Sequence, residues 1–336
     1  MNWNKGFSSR YYCTVVDKTS WRDLHRYEVT GGNVSKTDTN LMESADVEMR
    51  QIPGDGETEV WIRVWLDARQ EDDGAHEAVF TGLLSAPSVE WDGIRQQYRA
   101  ECYSVLQPAD DVMLPRGWYA SAGMNGAKLA ADLLSVGPAP VECADNAPQL
   151  SRTIIAEDSE TNLSMALKIM KAIGWRIKIS GRGVISVESK ATETVIALDP
   201  LENDCVELSV TDTRDWFKCP NVYRATYNEL TAIARDDNEN SPLSTVTRGR
   251  EVWMDEADCV LNDGESIGDY AARRLKEEQA PARTIKYIRR FNPEALPGEL
   301  AQINYPAQHV EGVFRIRTQR IDLGYGARTQ EEAVEA

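Results

Sequence analysis

Apolar and polar residues alternate with a period of two through most of the first hundred positions, the spacing of strands with one buried face. The run TEVWIRVWLDA is the clearest case: Val60, Ile62, Val64 and Leu66 share one face, and Trp61, Arg63, Trp65 and Asp67 the other. A face carrying two tryptophans and an arginine is expected to meet a second layer or another chain rather than water alone. YYCTVVD, HRYEVT, ADVEMRQ, AVFTGLLS and QQYRAECYSVL read as further strands, separated by the turn signals GG, PGDG, EDDG and WDG. Six short strands at this spacing predict a small antiparallel barrel or sandwich over residues 1–106.

After Pro108 the period changes. Leu129, Ala130, Leu133 and Leu134 form one helical stripe that stops at Gly137 and Pro138. In DSETNLSMALKIMKAIGW the positions Leu163, Ala166, Leu167, Met170 and Ile173 follow helical spacing, with Asp158 or Ser159 as candidate cap and Gly174 as stop. WRIKIS alternates Trp175, Ile177 and Ile179 against Arg176, Lys178 and Ser180, and Gly181-Arg182-Gly183 turns it into VISVE, a hairpin. NVYRATYNEL reads as a strand, RDDNENSP as a polar loop, and ESIGDYAARRLKEEQAP as a helix with Ser266 and Asp269 in capping-box spacing and Pro281 as its end. Period two resumes in TIKYIRRF, ELAQINYP and GVFRIRTQRIDLG, and TQEEAVEA reads as a frayed or partner-bound tail. The all-β, α+β, all-β succession predicts an α+β fold class with two barrel-like units flanking an inserted domain.

Composition narrows the function. A chain of 336 residues suits two or three domains. The formal charge of −17 disfavours a phosphate-binding protein, because the surface as a whole repels nucleic acid. No apolar run reaches the roughly 20 residues of a membrane helix, and MNWNKGFSSRYYC lacks the apolar segment of a secretory signal, so no membrane association is expected. The six cysteines are scattered without CxxC spacing and read as buried thiols, and the three histidines stand apart. No metal or cofactor is expected. Nucleophile-elbow, zinc-protease, phosphate-loop and dinucleotide motifs are absent, so no catalytic residue is assigned. Two facing carboxylates would suffice for a glycosidase, and that class is not excluded by a chain with 54 acids. Arg315, Arg317 and Arg320 form a basic alternation that could meet phosphate or an acidic partner. In PEALPGELAQI, Pro297-Gly298 is expected to make a corner and Glu299 to lead into a strand; Glu294 and Glu299 have no evident acid–base partner.

The order AVFTGLLSAPSVEWDG, QQYRAECYSVLQPADDVML, GAKLAADLL, ETNLSMALKIMKAIGWRIKISGRGVISV, NVYRATYNE, ESIGDYAARRLKEEQAPARTIKYIRRF and LPGELAQINYP resembles the baseplate or tail-tip hub proteins of tailed bacteriophages, which share architecture with type VI secretion spike cores. The resemblance spans about Tyr11 to Gly326 and rests on the succession of elements. It implies a non-enzymatic virion protein, made in the bacterial cytoplasm and built into the tail tip, in which two tail-tube-like antiparallel barrels per chain, over 1–106 and over 204–230 with 281–326, flank an α+β domain over 107–203 and 232–280, leave a tail over 327–336, and form a homotrimer. Such a ring adapts a hexameric tail tube to a threefold spike or central fibre, forms part of the DNA ejection channel, and meets tail tube, distal tail or baseplate, and tape measure proteins. DNA would pass without specific binding, and the acid excess suggests a repelling lumen. Trp61, Trp65, Trp91, Arg315 and Arg317 are the expected partner-interface residues. The alternative functions are a tail-associated cell-wall hydrolase and a carbohydrate-binding tip module.

Overall fold

Antiparallel β-structure sets the architecture, with 49% of residues in strands and 14% in helices. The structure, a computed structural model, describes residues 1–39, 42–54, 58–71, 73–93, 95–217, 219–257, 259, 261, 264–279 and 283–336. Within the turn signals, the last two residues of PGDG, one aspartate of EDDG and the residue after WDG lie outside that set.

The amino-terminal strands are β1 (Ser8–Val16), β2 (Asp23–Thr37), β3 (Glu43–Met49), β4 (Val60–Gln70), β5 (Asp73–Asp92) and β6 (Arg95–Ser104). They pair in the order β1-β4-β5-β6-β3-β2, and β2 pairs again with β1, so the ladder returns to its start. Ile62, Val64 and Leu66 on β4 fall inside this cycle with Val47, Phe80 and Cys13, as alternation predicts. Burying each such side chain contributes roughly 1.5–3 kcal/mol, which makes the inward positions the determinants of register. The other face of β4 is covered as well, because a second unit packs on it.

That unit runs through α1 (Gln107–Asp111), β7 (Tyr119–Ala120), α2 (Gly126–Leu134), β8 (Val141–Cys143), β9 (Ile154–Ile155), α3 (Asn162–Ile173), β10 (Trp175–Ile179) and β11 (Ile185–Ser189). Ala130, Leu133, Ala166, Ile169 and Ile173 close its core against Ile177, Ile185 and Val187 of the hairpin. Thr161, not Asp158 or Ser159, caps α3: its Oγ1 accepts from Ser164 N at 3.1 Å, and Ser164 Oγ accepts from Thr161 N at 2.9 Å. Gly174 ends the helix in the left-handed conformation.

The chain then lays down β12 (Thr194–Leu198) and β13 (Val206–Arg214), detours through β14 (Val222–Tyr227), β15 (Leu230–Arg235), α4 (Thr245–Arg248), β16 (Trp253–Glu256) and α5 (Ile267–Gln279), and returns as β17 (Arg283–Arg290), β18 (Leu300–Tyr305), β19 (Val310–Asp322) and β20 (Arg328–Glu335). The detour has its own small core, in which Tyr223, Ala225, Tyr270 and Leu275 pack α5 on a three-stranded sheet. Asp269 N donates to Ser266 Oγ at 3.1 Å at the start of α5, and Pro281 lies outside the described residues.

The carboxy-terminal strands pair in the order β12-β18-β19-β20-β17-β13 around Ile196, Ile285, Tyr287, Ile303, Phe314, Ile316 and Ala333. Three expectations are corrected. TQEEAVEA is not a tail: β20 lies between β17 and β19, and Ala333 is fully buried. Residues 194–198 pair with β18 and so join this sheet rather than the inserted region. Residues 204–230 divide between it (β13) and the detour (β14 and the start of β15). A strand's period of two reveals its buried face and not its neighbours, so these partners were open in the sequence. Finally, β2 and β19 pair through Thr37–Thr318, Ser35–Arg320 and Asn33–Asp322, fusing both sets into one twelve-stranded sheet.

Candidate assembly surface

The β2–β19 seam creates a continuous grooved face. Ser35 and Asn33 on β2 stand opposite Ser44 and Asp46 on β3, which stand opposite Tyr103 and Glu101 on β6. Across the seam, Thr318 and Arg320 on β19 stand opposite Glu332 and Gln330 on β20, and these opposite Lys286 and Ile288 on β17. Two depressions of ≈ 820 and ≈ 410 Å³ follow this face and share Arg320 and Gln330. Their charged lining is mixed, with Glu43, Asp46, Glu48, Asp322, Glu331 and Glu332 against Lys36, Arg99, Lys286, Arg320 and Arg328, and Met42, Tyr103, Tyr287 and Ile288 add apolar surface to the larger depression. Several are paired in place, with Arg99 Nε donating to Asp46 at 2.7 Å and Lys286 Nζ 3.0 Å from Glu332. Acidic and basic side chains are nearly balanced on this face.

Beneath this face lie two buried ion pairs, one between β2 and β3 and one between β17 and β20. Lys36 Nζ lies 2.6 Å from Glu43, and burial raises the Glu43 carboxyl above its ordinary value against the pull of Lys36. Arg289 Nε and Nη2 grip Glu331 at 2.9 and 2.6 Å, and Arg289 and Gln319 both donate to Ala295 O, which pins the PEALPG loop to the sheet.

The β10–β11 hairpin wedges between the two strand sets. On the amino-terminal side Arg63 Nη2 and Trp21 Nε1 donate to Arg182 O at 3.0 Å, and Thr81 Oγ1 donates to Gly181 O at 2.7 Å. Arg63 also donates to Thr81 Oγ1 and Asp23. A Cβ on residue 181 would come within 1.6 Å of Ala78 O, so only glycine permits the approach. On the other side Glu299 accepts from Arg176 at 2.9 Å and Lys178 at 2.7 Å. Gly298, at φ +88°, makes the expected corner, and its carbonyl accepts from Arg315 Nη1 at 2.7 Å. Glu299 is thus an ion-paired anchor between units, held by two cations.

This geometry redistributes the predicted interface residues. Trp61 and Trp65 are each only 8% exposed; Trp61 belongs to the core shared with the inserted unit, and Trp65 Nε1 donates to Thr14 Oγ1 at 3.1 Å. Their cover comes from the chain itself, which corrects their assignment to a partner surface. Arg315 is bound to Gly298 and Ala191 carbonyls, and Arg317 lies 2.8 Å from Asp38. Burial lowers the Arg315 pKa and raises that of Asp38, the latter against Arg317. Trp91 alone stands clear, 65% exposed on the distal part of the β5–β6 hairpin. The grooved face went unassigned from sequence, although its residues are the polar half of each alternating strand.

No family model matches the chain, and no curated protein matches it. Solved structures do. A tail protein from Neisseria meningitidis MC58 superposes with a TM-score of 0.70 at 16% identity, covering 97% of each chain. The 43 kDa tail protein of prophage MuSo2 from Shewanella oneidensis gives 0.68 at 13% identity, over 98% of this chain and 97% of the other. The E. coli c3393 protein, a type VI secretion component with structural similarity to T4 tail proteins gp27 and gp5, gives 0.54 at 8% identity, over 96% and 76%. The chain therefore has the fold shared by phage tail proteins and type VI spike components, the resemblance to a baseplate or tail-tip hub that its order of elements carries.

Proposed function

We propose that the chain is a structural, non-enzymatic virion protein: a homotrimeric tail-tip or baseplate hub that adapts a hexameric tail tube to a threefold spike or fibre and lines part of the DNA channel. Each six-strand set is then a tail-tube-like barrel, the first closed and the second open at the β12/β13 seam. The observation that carries this reading is the edge-to-edge union of the two sets through β2 and β19, which gives one chain two barrel-sized segments of a common grooved wall. Three such chains supply six segments, the number a hexameric tube presents. A wall of nearly balanced charge does not concentrate phosphate, so a polyanion passes without specific binding. Tail proteins among the structural neighbours support the non-enzymatic role.

The test is co-assembly. Purified chain mixed with the cognate tail-tube protein should form a complex with one trimer capping one tube end, seen by negative-stain microscopy. Random binding along the tube, or none, would overturn the reading.

A further inference from the structure

The grooved sheet has two dissimilar ends, and both are unfinished. At one end β13 pairs with β17 along a single edge, and among the described residues no strand pairs with the other. At the opposite end the β5–β6 hairpin outruns its neighbours: β4 reaches only Leu84 and β3 only Tyr98, so Glu90–Asp92 and Arg95–Gln97 pair only with each other. Unpaired edges of this length are templates for another strand, and a soluble chain must blunt or cover them. Pro87 stands at the root of the hairpin arm, and neither the arm beyond it nor β13 contains a proline.

Both ends also carry large exposed apolar side chains. Val89 and Trp91 on the hairpin are 42% and 65% exposed; Leu208 on β13 and Trp216 and Phe217 just beyond it are 65%, 42% and 71% exposed. The chain itself shows how its edges join, through the β2–β19 ladder, which extends the grooved face without a break. Because the two ends differ, a contact between them is heterologous, the class that generates closed rings when the rotation closes.

We propose that copies of this chain join head to tail, the hairpin arm of one copy, Ser88–Asp92 with Arg95–Gln97, seated along the open β13 edge of the next, with Trp91 and Val89 packed against Leu208, Trp216 and Phe217. This rests on the hub reading and names the surfaces by which the ring closes. With −17 on every copy, long-range electrostatics oppose the contact, so backbone pairing and apolar burial must hold it and added salt must strengthen it.

The test uses the full chain with Cys143→Ser, since Cys143 is the exposed thiol and the other five are buried. Trp91→Cys and Leu208→Cys variants are mixed and treated with a short bis-maleimide; covalent dimers are expected from the mixture and not from either variant alone. In parallel, Trp91→Asp with Leu208→Asp should weaken self-association at least tenfold by light scattering, with an unchanged circular dichroism spectrum. A trimeric wild type that yields no cross-link and ignores the aspartates overturns these surfaces and leaves the hub reading standing. A wild type that stays at one 37.6 kDa chain at every concentration and salt overturns both.

Discussion

Removing Arg289 tests the carboxy-terminal sheet at its most demanding point. The guanidinium and the Glu331 carboxylate have side chains 1% and 0% exposed, and they meet through two hydrogen bonds between adjacent strands. Burial alone would depress the arginine's pKa, and the carboxylate outweighs it and holds the pKa above its ordinary value. Arg289→Met leaves Glu331 buried without its cation, which should cost about 3–5 kcal/mol; Glu331→Leu, which leaves Arg289 buried without its anion, should cost about as much. Arg289→Met with Glu331→Leu removes both charges, and should recover most of that loss. The assay is amide hydrogen exchange on β17 and β20, where Ile288 pairs with Gln330. At about 1.4 kcal/mol per tenfold, each single variant should exchange roughly 100- to 3,000-fold faster, and the double variant far less. Single variants costing under about 1 kcal/mol, or costs that simply add in the double, would refute a coupled buried pair and with it the placement of β20 inside the sheet.

Gly181→Ala should lever the hairpin off β5 and lower stability by roughly 2–4 kcal/mol, read as a drop in melting temperature with new proteolysis near Arg182. Trp65→Ala should cost about 3–5 kcal/mol of fold stability, measured by urea unfolding; loss of assembly with an unchanged fold would return this ring to a partner surface. For Glu256, burial alone would raise the pKa, yet hydrogen bonds from Tyr223, Lys171 and Tyr270 hold it below the ordinary 4.5. A depressed carboxylate stabilises the fold above its unfolded value and loses that contribution as pH falls through the folded one. The α5 unit should therefore loosen below about pH 4.5, and Glu256→Gln should flatten that part of a pH-resolved unfolding curve.

Period two made the inward faces legible: Ile62, Val64 and Leu66 sit where their alternation puts them, as do Ile177 and Ile179. The α3 boundaries were legible through Gly174, while its start slipped to Thr161 because several residues there can cap and only geometry chooses among them. Strand partnership was not legible, since local pattern carries no address; hence the misplacement of 194–198 and 327–336. The Trp61, Arg63 and Trp65 face announced a second layer correctly, but the sequence could not say that Arg182 and Trp21 of the same chain would supply it. The grooved face was hidden for another reason: polar residues on alternating strands are the ordinary state of a solvated sheet, and only the β2–β19 seam makes them a common wall.

The most direct test is a residue-resolving cryo-electron microscopy reconstruction of the assembled protein. It should show three copies around an opening walled by the β3-β2-β19-β20-β17 face, with Ser35, Arg320 and Gln330 turned toward the axis. Copies whose grooved faces point outward, or an assembly with no central opening, would contradict the account.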